Sequence, residues 1–425
     1  MTRFFTKSYK ICAFFDTIEK CYVYFCIANF FDFYGMKNST QSFFLIFFIM
    51  LFLTNGQLYA QTEKHGKERG AVDSVEVKKD RTFWRQVKEN VKLGGWIDAQ
   101  YQFAQSEDRK SSVFQIRRAR LDLKGSLSRW VDFRLQADFA PSPRLIDAFV
   151  KVNICEYVNL QVGQFKIPFS LENILSPLDL ELTENAQVIS ALSGYKDVSG
   201  VSSYSNGREI GLMLLGTLAS ATVHGEKIPI LKYGVGVFGG NGINVKVDNM
   251  AKDVSARLEF CPFVSHLTVS VSGYWGKYDM LYDNVSTHND GVRIRYAAGA
   301  QYADEHWMVR SEYLWGKTDF ESFDEDQDVF IPYGMKSQGC YFTIGYWFMM
   351  GWGKNSDVQQ KIRPLLRVDY YERDIDAHDP SMVYAAGVEW WPERHLRFQL
   401  AYSLRQQNFS NQFEHQLTTM LTVRF

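Results

Sequence analysis

The chain has 425 residues, with 47 Lys and Arg against 48 Asp and Glu, for a formal net charge of -1. Such balance supplies no basic field for nucleic acid. A mean hydropathy of -0.23 is too polar for a bundle of spanning helices, so any role in a membrane falls to an element less apolar than a helix.

The first 60 residues read as export rather than fold. Residues 43–53, FFLIFFIMLFL, form an uncharged apolar run preceded by Met36 and Lys37 and followed by LYAQ at 58–61. This is the layout of a signal peptide over 36–60 with a cut after Ala60, and the run is shorter than the ~20 residues a spanning helix needs. Residues 1–35 do not fit a signal, so translation is expected to begin at Met36; the alternative is an aromatic anchor lying on a membrane. Residues 61–90 are polar and charged, a periplasmic leader with no core of its own. Beyond residue 60 only Cys155, Cys261 and Cys340 remain, widely spaced and odd in number. They suit small packing residues better than a disulfide framework.

From residue 91 to the end one rhythm repeats. Val131, Phe133, Leu135, Ala137 and Phe139 alternate with Asp132, Arg134, Gln136 and Asp138, and Leu396, Phe398, Leu400, Tyr402 and Leu404 alternate with Arg397, Gln399, Ala401, Ser403 and Arg405. Alternation at every second residue is the period of a strand with two unlike faces. It marks sixteen segments, at 91–103, 113–124, 131–139, 145–152, 158–166, 207–215, 231–238, 253–260, 266–276, 290–302, 306–316, 338–348, 361–373, 382–391, 396–405 and 414–425. The uncharged runs flanking 207–215 and 338–348 also fit a buried helix. Gly163 suits a bulge, because the apolar phase shifts between Val162 and Phe165.

The connections fall into two kinds. Odd-numbered ones are long, among them 104–112, 167–206, 239–252, 277–289, 317–337, 374–381 and 406–413. Even-numbered ones are mostly short, such as 125–130, 261–265, 303–305 and 392–395, with 216–230 and 349–360 longer than the layout prefers. Aromatic residues, including Trp130, Phe139, Trp275, Trp307, Trp390, Tyr402 and Phe425, gather near segment ends. A soluble sandwich or propeller also alternates, but long loops on one rim with aromatic strand ends are the marks of a transmembrane barrel. The expected fold is all-β: a closed antiparallel transmembrane β-barrel of sixteen strands over 91–425. Its last strand puts Leu417, Thr419, Leu421, Val423 and Phe425 on one face. That strand must pair with the first, because hydrocarbon offers its backbone no other partner.

Four stretches, FQIRRARLDLKGSL (114–127), VDFRLQADF (131–139), LIDAFVKV (145–152) and LQVGQFKIPFSLEN (160–173), together resemble the phosphate-selective porin O and P family. The resemblance implies an outer-membrane diffusion channel, usually a homotrimer, whose third outer loop folds into the lumen. It also implies that Phe425 is read by the barrel assembly machinery. The longest connection, 167–206, is the third on the outer rim.

If the apolar faces meet lipid, the opposite positions line the pore. Arg118, Arg120, Lys124, Arg134, Lys151 and Lys166 are the expected pore-lining cations, with Asp122, Asp132 and Asp138 interleaved. Rings of Arg or Lys favour anions. Against that, the third outer loop holds Glu172, Asp179, Glu181, Glu184 and Asp197 with only Lys196, so the constriction is expected to be net negative. Phosphate specificity is therefore not carried over, and a weakly selective or cation-tolerant channel is expected. No Gly-x-Ser-x-Gly, His-Glu-x-x-His, P-loop or Cys-x-x-Cys motif is present, and no cofactor, metal or enzymatic activity is expected. Two other classes stay open. One is a surface receptor or adhesin using the acidic strip at 319–330. The other is a membrane-embedded lipid hydrolase, weakened because His415 and Ser403 read as lumen-side positions.

Overall fold

The computed structural model describes residues 89–425 apart from 108, 201–206, 224, 246–251, 263–265, 283–284, 325–328, 352–358 and 411. The expectations for the signal peptide and for the leader up to 88 lie outside the described residues.

Strands run in chain order as β1 (Val91–Gln105), β2 (Lys110–Ser128), β3 (Val131–Asp138), β4 (Arg144–Asn153), β5 (Asn159–Lys166), β6 (Arg208–Val223), β7 (Glu226–Phe238), β8 (Asp253–Phe260) and β9 (Leu267–Tyr282). They continue as β10 (Val285–Ala303), β11 (Trp307–Asp324), β12 (Val329–Tyr346), β13 (Phe348–Gly351), β14 (Gln359–Glu372), β15 (Pro380–Glu393), β16 (Leu396–Gln407) and β17 (Phe413–Arg424). Only Trp347 separates β12 from β13, and both pair with β14, so the two form one wall strand and the barrel has sixteen. Every neighbour is antiparallel, and β17 returns to β1 in the register Trp96↔Arg424 to Gln105↔His415. Gly95 and Phe425 exchange backbone N–H···O bonds at 3.0 Å each. Among the described residues every wall strand has a paired neighbour on each side, which a hydrocarbon environment requires.

The two faces are inverted relative to a soluble protein. Leu212, Leu214, Val235, Val237, Leu258, Leu366, Leu400 and Val423 are exposed, whereas Asp98, Arg120, Glu209, Arg310, Glu312 and Arg397 are buried. An Arg or Lys on the lipid face near the midplane costs roughly 2–4 kcal/mol, so charge collects inside. Exposed aromatics include Trp130, Phe139, Trp275, Trp307, Trp390, Tyr402 and Phe425.

Several strands outrun the apolar signal. Most of the connection expected at 216–230 belongs to β6 and β7, which pair with each other, and most of 277–289 and 317–337 is strand. At Gly163 the pairing register is continuous, so there is no bulge. The phase change is taken up by a φ of 130 at Gly163, where a Cβ would lie 2.1 Å from the Ala148 carbonyl oxygen. The three remaining cysteines are free and are not core packing residues: Cys155 and Cys340 are exposed and Cys261 is half-buried.

Candidate functional site

The wall cations do not form a free row. Arg118 lies 3.1 Å from Asp98, Arg120 2.9 Å from Asp138, and Lys151 3.3 Å from Asp132. Arg134 lies 2.8 Å from Asp122 and 3.3 Å from Asp147. Burying a charge is costly unless a partner and hydrogen bonds compensate it, and cross-strand neighbours are the nearest source. Lys124 is exposed and has no ion pair among the described residues. Lys166 donates to the backbone oxygens of Asn173, at 2.5 Å, and of Leu175.

The segment between β5 and β6 lies against inward-facing side chains of the opposite wall. It carries two short helices, α1 (Leu171–Ile174) and α2 (Gln187–Leu192). Helix starts leave N–H groups unpaired and helix ends leave carbonyls unpaired, and here the wall supplies both kinds of partner. Glu312 on β11 accepts from the N–H of Leu171 at 2.7 Å and from the Ser170 hydroxyl at 3.0 Å. Lys166 takes carbonyls at the other end of α1. Asp369 on β14 accepts from the N–H of Gln187 at 2.7 Å, and Arg295 on β10 donates to the Leu192 carbonyl at 2.7 Å. Farther along the wall, Arg397 donates to the Leu178 carbonyl and Gln399 to that of Glu181, each at 2.8 Å. Val188, Ile189 and Leu192 of α2 bury against Tyr274, Leu314 and Tyr341, forming an apolar core inside the barrel.

The carboxylates of this loop are matched to wall arginines. Glu172 lies 3.2 Å from Arg367, Asp197 2.6 Å from Arg295 and Glu184 2.5 Å from Arg117, while Glu181 pairs with Arg310 and lies 3.9 Å from Arg363. Burial would raise the carboxyls of Glu181 and Asp197, but their arginine partners outweigh it and hold both below the usual range. Four of the five loop acids thus have arginine partners that composition alone does not show. Asp179 and Lys196 are exposed.

Interior arginines outside the six expected pore-lining cations include Arg117, Arg208 and Arg363. The β1–β2 register slips between Asp98 and Ala99, so that Asp98 faces Arg118 while Ala99 faces Ile116; Arg117 is the extra residue. It turns inward to Gln100 at 2.8 Å and Glu184. Arg208 begins β6 next to Gly207, whose φ is 68, and pairs with Asp147 at 2.6 Å despite its outward parity. Arg363 has the same parity as Arg367 and pairs with Glu389; the alternation alone could have found it.

Among the described residues, loop and wall border two sizeable cavities. One, about 510 Å³ on the side of the even-numbered turns, is lined by Trp96, Arg134, Gln136, Phe149, Lys166 and Lys232 among others. The second, about 330 Å³ on the side of the odd-numbered connections, is bordered by Arg109, Glu184, Lys196, Arg405 and Glu414. His415 has the parity of the outer face although it also borders the second cavity. Its ring accepts or donates at 2.7 Å with the hydroxyl of outward-facing Tyr402, and its β17 neighbours Leu417 and Thr419 share that outer parity. Ser403 borders the same cavity with the inward parity of β16, while the His415 ring is engaged by Tyr402.

A closed barrel with an apolar exterior, a charged interior and a loop packed inside it defines an outer-membrane porin, a passive diffusion channel. The family described as phosphate-selective porin O and P matches residues 90–425, and the chain belongs to that family. No curated protein matches the chain. Among solved structures, an anion-selective porin from Comamonas acidovorans is similar at 9% identity and a TM-score of 0.54, covering 79% of this chain and 99% of that one. The outer membrane channel DcaP of Acinetobacter baumannii is similar at 11% identity and a TM-score of 0.51, covering 79% and 97%. The trimer form of OmpT, an outer membrane protein of Vibrio cholerae, is similar at 9% identity and a TM-score of 0.53, covering 79% and 99%.

Proposed function

We propose that this porin is a weakly charge-selective channel for small hydrophilic solutes of either sign, with no dedicated phosphate site at its constriction. Four ion pairs carry this reading: Glu172 with Arg367, Glu181 with Arg310, Glu184 with Arg117 and Asp197 with Arg295. An ion ring selects through charge it can present to the solute, and charge matched to a buried partner is largely spent. Arg118, Arg120, Arg134 and Lys151 are compensated in the same way, and Lys166 is occupied by loop carbonyls. Lys124, Lys196 and Asp179 are exposed, as are Arg109, Arg405 and Glu414 at the second cavity, so the charges that solutes meet are of mixed sign. The Comamonas neighbour is titled anion-selective, but at 9% identity that likeness speaks to fold alone.

The working form is a homotrimer, for which the trimer form of the Vibrio cholerae neighbour is the support. Export uses a signal peptide at 36–60 cut after Ala60, and Phe425, bonded to Gly95 at the barrel seam, is the residue that the assembly machinery reads. The test is a reversal potential in a planar bilayer across a potassium chloride gradient. The expected permeability ratio is near unity, and a strong preference for either ion refutes the reading.

A further inference from the structure

We infer that the second cavity, on the side of the odd-numbered connections, is a binding subsite for an acidic amino acid, a solute with two carboxylates and one ammonium. The inference rests on the channel reading but not on its charge selectivity. Of the charged side chains on this cavity, three are already engaged. Arg367 lies 3.2 Å from Glu172, Glu184 lies 2.5 Å from Arg117, and Asp369 accepts from the N–H of Gln187 at 2.7 Å. The other four are Arg109, Lys196, Arg405 and Glu414. All four are exposed, and none of them forms an ion pair among the described residues. Arg405 and Glu414 are the most telling, because they face each other directly in the β16–β17 register. Opposite charges so placed ordinarily pair. Here they do not, and both heads stay open to a solute.

Charge and lining narrow the ligand. Three available cations against one available carboxylate suit a molecule that is net negative yet carries one positive group. A simple anion, whether chloride, phosphate or a dicarboxylate, sets its charge against Glu414. An amino acid with an acidic side chain gives its two carboxylates to the arginines and the lysine and its ammonium to Glu414; arginine in particular matches a carboxylate two bonds at a time. The remaining wall includes Ser111, Thr183, Asn185 and Gln416, whose hydroxyls and amides serve either kind of group. Among the described residues no Phe, Tyr or Trp stands on this cavity, so it offers nothing to an aromatic body. Its volume, about 330 Å³, suits a small solute.

The test uses the full-length protein purified from outer membranes, with glutamate as the probe. Glutarate, which has the two carboxylates but no ammonium, and lysine, which reverses the net charge, are the comparators. Single-channel current in a planar bilayer is expected to fall saturably with glutamate, less readily with glutarate and least with lysine. Glu414→Gln is expected to abolish the preference for glutamate over glutarate. Arg405→Gln and Lys196→Gln are each expected to weaken glutamate and glutarate alike, roughly fivefold, the scale of one exposed charge contact. Stepwise conductance without solute reports that each variant has folded, and the order of the three solutes on the parent needs no variant. Calorimetric titration of glutamate into the detergent-solubilised protein checks binding independently of conductance. No saturable glutamate signal by either readout, glutarate or lysine equal to glutamate on the parent, or variants that respond as the parent does overturns the subsite. The reversal potential in salt alone, taken on the same bilayer, judges the weak-selectivity reading separately.

Discussion

Asp369 and Arg295 hold opposite ends of one six-residue helix. Asp369 accepts from the first N–H of Gln187–Leu192 at 2.7 Å, and Arg295 donates to the last carbonyl at 2.7 Å. A helix presents partial positive charge at its start and partial negative charge at its end, so the two wall residues bear the signs its ends attract. Glu312 and Lys166 do the same for Leu171–Ile174. A helix this short is not stable alone; its conformation is set by where the wall holds it.

Arg295→Gln is the sharpest test of this clamp. It leaves Asp197 buried without its cation and the Leu192 carbonyl with a weaker donor. Breaking a buried ion pair from one side costs roughly 3–5 kcal/mol. Guanidinium unfolding in detergent should show a loss of that order, and current traces should become noisier as the loop loosens. A quiet channel of parental stability speaks against the clamp.

The same pair fixes a pH dependence. Burial alone would raise the Asp197 carboxyl, but Arg295 holds it below its ordinary value. A depressed folded-state pKa gives stability that is fully present above the unfolded value, about 3.9, and is lost as pH falls through the folded one. The destabilisation caused by Asp197→Asn should therefore be constant above about pH 5 and shrink towards zero in stronger acid. Parent and variant unfolding curves measured at a series of pH values check it, and a difference that grows in acid refutes it.

Arg117 and Glu184 form the exposed member of the loop–wall pairs, with side chains 21% and 49% exposed. Glu184→Gln should leave Arg117 as an uncompensated cation and shift the reversal potential towards anions. Arg117→Gln should shift it towards cations. Stability should change by less than about 1 kcal/mol in either case, as for a surface pair. Shifts of the same sign in both variants contradict the pairing.

Gly163→Ala should impair folding without touching the lumen charges. The backbone there has a φ of 130, and the new Cβ meets the Ala148 oxygen at 2.1 Å. Strain of this kind costs of the order of 1–3 kcal/mol. The yield of heat-modifiable, folded barrel after refolding is the readout; a parental yield removes the argument.

The strands and their faces were legible because lipid imposes one rule on every strand, and Val131–Phe139 or Leu396–Leu404 obey it without exception. The rule lapses where a hairpin rises beyond the membrane, since water satisfies polar side chains on both faces. That is why 317–324 and 329–337 read as loop although they pair from Thr318↔Met335 to Asp324↔Val329. Arg117 was hidden by a register slip that period-2 counting cannot see. The loop acids were visible but not their neutralisation, because the partners are distant in sequence: Glu172 pairs with Arg367 and Asp197 with Arg295.

Cross-linking the loop to the wall tests its position most directly. Gln187 on α2 accepts from the Ser381 hydroxyl on β15 at 2.9 Å. With Cys155, Cys261 and Cys340 replaced by serine, cysteines at positions 187 and 381 should oxidise to a disulfide in the membrane-inserted protein, seen as a mobility shift, while stepwise conductance persists. Failure to cross-link under oxidising conditions, in a barrel that still conducts, would place the loop elsewhere and contradict the account.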